Sequence, residues 1–276
     1  MFGRERIEYK TAEQVVAMRR AGLVVAAAHQ AVRDAIAPGV TTADLDAVAG
    51  QVIADAGATP SFLGYHGYPA VLCVSVNDEI VHGIPGPRVL REGDVVSVDC
   101  GAIVDGWHGD AAFTVVLGDA DPADLALSAA TERAMWAAIA ALAGGERLGV
   151  VGDAVERVVE ESDEPYGIVQ EYVGHGIGTA MHQPPDVLNY RTHDRGPRLR
   201  PGLCVAIEPM LTRGSRTTRV LDDDWTVVTE DGERAAHWEH TVALGPDGLW
   251  VLTAADGGVA GLAPFGVEPV PLSDIG

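Results

Sequence analysis

The chain has 276 residues, 47% of them hydrophobic and 21% charged, which supplies a sizeable core for one large domain or two small ones and excludes a disordered chain. Its net charge of −21, from 40 acidic and 19 basic residues, argues against general binding to nucleic acid or to an anionic membrane. Three cysteines, none in a CxxC pair, exclude a cysteine-rich zinc module and fit a reducing compartment.

In chain order, Thr11-Ala-Glu-Gln14 reads as a capping box. The helix it opens carries Val15, Met18, Val25, Val32 and Ile36 and stops at Pro38-Gly39. Its stretch GLVVAAA at 22–28 is a buried helix face rather than a signal-peptide core. No apolar run reaches the ~18 residues needed to span a bilayer, so the expectation is a soluble, cytoplasmic protein. A second helix starts near Thr42, carries Leu45, Val48 and Val52, and ends at Gly57. Strands are predicted at 70–76, 94–104 and 111–118. Asp121-Pro122 then opens a helix to Gly144-Gly145, a shorter helix covers 151–162, and strands follow at 167–173, 204–211, 224–229 and 237–244. A helix pair followed by strands, twice over, suggests an internal duplication with halves at 12–118 and 121–252 inside one domain, 1–276. The Gly- and Pro-rich tail 253–276 reads as a surface strap.

The chemistry concentrates in residues that do not belong in apolar strands. In SVDCGAIVDGWHGDAAFTVV (97–116), Asp99 and Asp110 lie inside the two arms of a hairpin turned by Asp105-Gly106. An ionised carboxylate buried without a partner costs several kcal/mol. A two-residue turn sets Val104 opposite Trp107 and Gly101 opposite Asp110. Asp99 then shares a face with Gly101, so the two carboxylates are diagonal neighbours roughly 7–8 Å apart at the backbone. YVGHGIGTAMHQPP (172–185) holds His175 and His182 among glycines, and Pro184-Pro185 forbids the helix that a phosphate loop needs. Glu208 in CVAIEPM and Glu239 in HWEHTVAL each sit within an apolar strand. Any one of these residues reads equally well as an edge acid, an outward-facing glutamate or a loop histidine. Their accumulation favours oxygen-rich ligation with some imidazole, which suits Mn, Fe, Co or Zn. A two-metal site holds its ions about 3.5–4 Å apart and generates hydroxide near neutral pH.

The ordered run YHGYP…SVNDEIVHGIP…VDCGAIVDGWHGD…GHGIGTAMHQPP…AIEPM…WEHT resembles the type I methionine aminopeptidases over residues 10–250. The resemblance implies an α+β pita-bread fold, with pseudo-twofold duplicated halves and a curved antiparallel sheet covered by helix pairs. It implies removal of N-terminal methionine from nascent proteins and peptides with a small second residue, by attack of a metal-bridging hydroxide on the scissile amide. Two divalent ions per chain (Co, Mn, Fe or Zn) would sit on Asp99, Asp110, His175, Glu208 and Glu239. Asp110 and Glu239 would bridge them, and Glu208 would also help deprotonate the water. His82 and His182 match the two catalytic histidines that are not ligands, His182 at the substrate carbonyl and His82 at the amide. The methionine pocket would draw on Phe62, Tyr65, Tyr68, Cys73, Met181 and Trp225, with His66 nearby.

The short interval from His182 to Glu208 leaves no room for the type II helical insertion, which implies the short, bacterial-like form. Two other readings use the same fold: a proline-specific aminopeptidase, and a non-enzymatic peptide-binding homologue. The first usually carries a large domain ahead of its catalytic motifs, and the second loses ligands that this sequence retains. The expected partners are a peptide or nascent chain and, transiently, the ribosome, with no specific nucleic acid and no membrane; a monomer is expected. The cluster Arg191, Arg195, Arg198 and Arg200 reads as a solvated loop.

Overall fold

The computed structural model describes residues 6–271. Helix α1 (Ala12–Ala35) and helix α2 (Thr42–Asp55) both start on capping boxes, at Thr11 with Gln14 and at Thr41 with Asp44. Helix α3 (Pro122–Gly144) starts on Asp121, whose side chain accepts from the Ala123 amide, with proline at its first position. Helix α4 (Val150–Glu160) completes the second pair. The first helix ends three residues short of Pro38, at Ala35, because proline biases the residue before it away from helix.

Nine strands form the main antiparallel sheet: β1 (Thr59–Pro60), β2 (Leu72–Val76), β3 (Val95–Val104), β4 (Trp107–Val116), β5 (Gly174–Gly176), β6 (Gln183–Val187), β7 (Cys204–Ile207), β8 (Glu239–Leu244) and β9 (Leu249–Val251). Their order is β1-β3-β4-β8-β7-β5-β6, with β2 also on β3 and β9 also on β8. The pair α1–α2 covers the first half, burying Val25, Leu45 and Ile53 against Val74, Val98 and Phe113. The pair α3–α4 covers the second, burying Met135, Ile139 and Val155 against Val205, Val242 and Val251. This is the α+β, two-half pita-bread arrangement that the resemblance implies. Helix α3 is long and apolar enough, at mean hydropathy 1.2, to cross a membrane, but here its apolar face is the core of the second half.

Several predicted strands shorten or break. Residues 167–173 keep only Gly167–Ile168, and residues 224–229 only Val227–Thr229. The strand 204–211 splits at Glu208-Pro209 into Cys204–Ile207 and Met210–Thr212, since Pro209 has no N–H to give a ladder. The strand 237–244 splits at Trp238 into Ala235–His237 and Glu239–Leu244. The tail 253–271 is anchored as well as superficial: the turn Val259–Leu262 sinks Leu262 into the second core. Residues 272–276 of the expected strap lie outside the described residues.

The two halves meet along β4 and β8. Direct pairing there is brief, Glu239 with Ala112 and His240 with Ala111. At each end a threonine hydroxyl takes over. Thr241 Oγ1 accepts from the Asp110 amide at 3.1 Å and donates to the Asp110 carbonyl at 2.7 Å. Thr114 Oγ1 accepts from the His237 amide at 2.9 Å and donates to the His237 carbonyl at 2.7 Å. Helix α1 also approaches the sheet closely beside the seam: a Cβ on Gly109 would stand 2.7 Å from the Gly22 amide nitrogen.

Candidate metal centre and cleft

The hairpin register is as the two-residue turn requires. Val104 faces Trp107 and Gly101 faces Asp110 without a bulge, and Asp105 and Gly106 both take positive φ, 51° and 82°. Asp99 and Asp110 therefore share a face. The second half brings two more acids to the same place. Ile207 faces His240, and Met210 faces His237 beyond the break. The register is the same on both sides, so Glu208 and Glu239 stand opposite each other in the gap. The break in the strands thus opens the ladder where the two glutamates lie.

All four carboxylates are buried, and each has an oxygen with no hydrogen-bond partner among the described residues: Asp99 Oδ1, Asp110 Oδ1, Glu208 Oε1 and Glu239 Oε1. Burial pushes the Asp99 carboxyl up to about 7. Burial, and then repulsion from the neighbouring carboxylates, push Asp110, Glu208 and Glu239 well above the usual range. His175 Nδ1 lies 3.0 Å from the Gly176 carbonyl. A carbonyl only accepts, so Nδ1 carries the proton and the Nε2 lone pair is free. That lone pair faces Glu208 Oε1 at 3.4 Å and Asp110 Oδ2 at 4.0 Å. Acceptors facing acceptors in a buried site repel unless a cation stands between them. Ligand atoms of Asp110, His175 and Glu239 lie within 4.8 Å of one another, so the donor set fits a divalent ion with oxygen and imidazole ligands.

Beside the acids opens a small cleft of about 90 Å³. Its far wall is aromatic and sulfur-bearing: Phe62, Tyr65, Tyr68, Cys73, Met181 and Trp225. The Tyr68 hydroxyl, with its one proton to share, lies 2.9 and 3.0 Å from the carbonyl oxygens of Leu72 and Gly83, tying the 65–67 turn to the loop that carries His82. His82 lines the cleft with its ring 6.2 Å from Trp225, and burial lowers it to about 4. His182 stacks edge-on to His175 at 4.3 Å, and its Nδ1 is 2.9 Å from the Tyr65 hydroxyl. His66 alone of the sequence-predicted set stays off the lining; it is exposed, with its ring 4.4 Å from Tyr65.

The sequence reading passed over three residues. Val81 lines the cleft. Asn189, fully buried, donates to the Glu208 carbonyl at 3.1 Å. His237, buried and lowered to about 3 by that burial, points Nε2 at both glutamates, 3.9 Å from Glu208 Oε2 and 4.0 Å from Glu239 Oε2. Its place two residues before Glu239, on the same side of a strand, was the available signal. Of the arginine cluster, Arg195 is paired with Asp153, and Arg191 with Asp153, Glu156 and Glu160.

A profile for metallopeptidase family M24 matches residues 16–246. The chain is 53% identical over 256 residues to methionine aminopeptidase 1 of Mycobacterium tuberculosis (strain CDC 1551 / Oshkosh), covering 91% of this chain and 96% of that protein. It is 44% identical over 244 residues to methionine aminopeptidase 1 of Bacillus subtilis (strain 168), covering 88% and 98%. Among solved structures, methionine aminopeptidase from Thermotoga maritima superposes with a TM-score of 0.87 at 40% identity, covering 90% of this chain and 99% of that one. Prolidase from Pyrococcus furiosus, at TM-score 0.71 and 19% identity over 90% of this chain and 65% of its own, shares the fold alone.

Proposed function

The chain belongs to metallopeptidase family M24, and on that premise we propose how its residues serve a metallo-aminopeptidase that removes N-terminal methionine. Asp99, Asp110, His175, Glu208 and Glu239 would hold two divalent ions, Co, Mn, Fe or Zn. When bound, the ions supply a Lewis acid for the scissile carbonyl and lower the pKa of water toward neutrality. Glu208 takes the proton of the attacking water. His182, held by Tyr65, donates to the carbonyl oxygen as it gains charge, the kind of preorganised stabilisation that costs no rearrangement during reaction. His82, kept neutral by burial, orients the amide and assists the departing amine. Phe62, Tyr65, Tyr68, Cys73, Met181 and Trp225 receive the methionine side chain, since aromatic edges and sulfur suit a thioether. His66, outside the lining, has no part in that pocket in this reading.

The carrying observation is the ring of buried, unpartnered carboxylate oxygens around the free lone pair of His175. The substrates are peptides and nascent chains with a small second residue, met in the cytoplasm and in transient contact with the ribosome, by a monomer. The test is release of free methionine from Met-Ala-Ser. Metal-replete protein should cleave it, should leave Ala-Pro intact, and should stop on chelation. Replete protein that leaves Met-Ala-Ser uncut overturns the reading.

A further inference from the structure

His237 is 1% exposed and its place is fixed before its ring is considered. Thr114 clasps its backbone at both amide and carbonyl, and Ser97 Oγ holds Thr114 Oγ1 at 2.8 Å. From that anchor Nε2 reaches between the two glutamates, 3.9 Å from Glu208 Oε2 and 4.0 Å from Glu239 Oε2, with no hydrogen-bond partner of its own among the described residues. A carboxylate can only accept, so the complementary form of this imidazole is the one with the proton on Nε2. The gap exceeds a hydrogen bond by roughly 1 Å, within reach of a small rotation of either glutamate side chain.

The two oxygens of Glu208 already face different ways. Oε1 lies toward His175 at 3.4 Å, and Oε2 lies toward His237. We propose that His237 is a positioning residue: its Nε2–H donates to the Oε2 atoms of Glu208 and Glu239, and thereby turns their other oxygens toward the ions. The inference rests on the metal reading given above. Outer donors of this kind orient ligands, and their loss typically weakens metal binding by about 10–100-fold.

The test strips the protein with chelator and titrates it calorimetrically with Co(II) alone, reading the visible spectrum of the loaded form. The parent should take two ions per chain. H237L, which removes the donor, should bind at least one ion about 10–100-fold more weakly and shift the Co(II) bands. H237Q, which restores a donor, should recover most of both. Unchanged affinity and bands in H237L overturn the proposal, as does H237Q being as impaired as H237L. A change confined to which second residues are tolerated also overturns it. A second reading needs no variant: in 15N-histidine NMR of the Zn(II)-loaded parent, His237 should be the Nε2–H tautomer, and the Nδ1–H tautomer overturns the proposal. A parent that takes up no metal fails the underlying reading, whereas a parent with two ions beside an indifferent H237L fails this inference only.

Discussion

Replacing Thr241 by valine removes one hydroxyl at constant shape and tests the seam directly. Thr241 is fully buried, and its hydroxyl is the partner of both the amide and the carbonyl of Asp110. Valine leaves two backbone groups buried and unpaired, at about 1–3 kcal/mol each. The expected loss is about 4 kcal/mol, equivalent to roughly 8–16 °C in Tm for a chain of this size. Urea melts of chelated protein read it without interference from ion binding. Thr241→Ser keeps the hydroxyl and sacrifices a methyl, which should cost only about 1 kcal/mol. A valine variant within about 1 kcal/mol (roughly one net hydrogen bond) of the parent would refute this role of the hydroxyl, as would serine being as damaging as valine.

Four further outcomes are expected. Chelation should stop catalysis and lower Tm by several degrees, because an ion at about 100 times its Kd stabilises the folded state by about 3 kcal/mol. Asp110→Asn should abolish both the activity and that shift while making the stripped protein more stable, since the buried charged form is disfavoured; a normal metal-induced shift in this variant would contradict the assignment. His82→Asn, chosen because φ is 61° at this position and asparagine accepts such values, should slow turnover yet keep the metal, and metal loss equal to that of Asp110→Asn would disprove its role. For pH, burial and then the charges of Arg33 and His240 push His29 down to about 3 from 6.5. The unfolded chain therefore takes this proton first, so stability present above pH 6.5 is lost as pH falls toward 3. Between pH 7 and 5 His29 accounts for about 2 kcal/mol of that loss. The cost of His29→Leu in urea melts should accordingly be smaller at pH 5 than at pH 7, and an equal cost at both would refute the account.

Local signals made the first half of the centre legible. A two-residue turn at Asp105-Gly106 fixes a register, and the register decides that Asp99 and Asp110 share a face. The caps at Thr11 and Asp121 announced two helices for equally local reasons. Glu208 and Glu239 were visible only as acids out of place. That they oppose each other depends on strands meeting across a break at Pro209 and Trp238, which no short window of sequence encodes. The threonine clasps escaped for the same reason, because which strand of one half lies beside which strand of the other is a long-range fact. His237 escaped because its neighbour Glu239 accounted for the motif. His66, expected near the pocket rather than in its wall, lies exposed with its ring against that of Tyr65.

The seam between β4 and β8 has a bearing on how the chain matures. Asp99 and Asp110 come from the first half, and His175, Glu208 and Glu239 from the second, so neither half alone assembles the acid ring. A copy of the chain still being synthesised has only two of its acids in place until the last strands have been made and have docked. Divalent ions gripping residues from both sides would act as a cross-link with no covalent bond. Ion occupancy would then certify that the two halves have closed on each other, and the onset of proteolytic power would be tied to the end of folding rather than to its beginning.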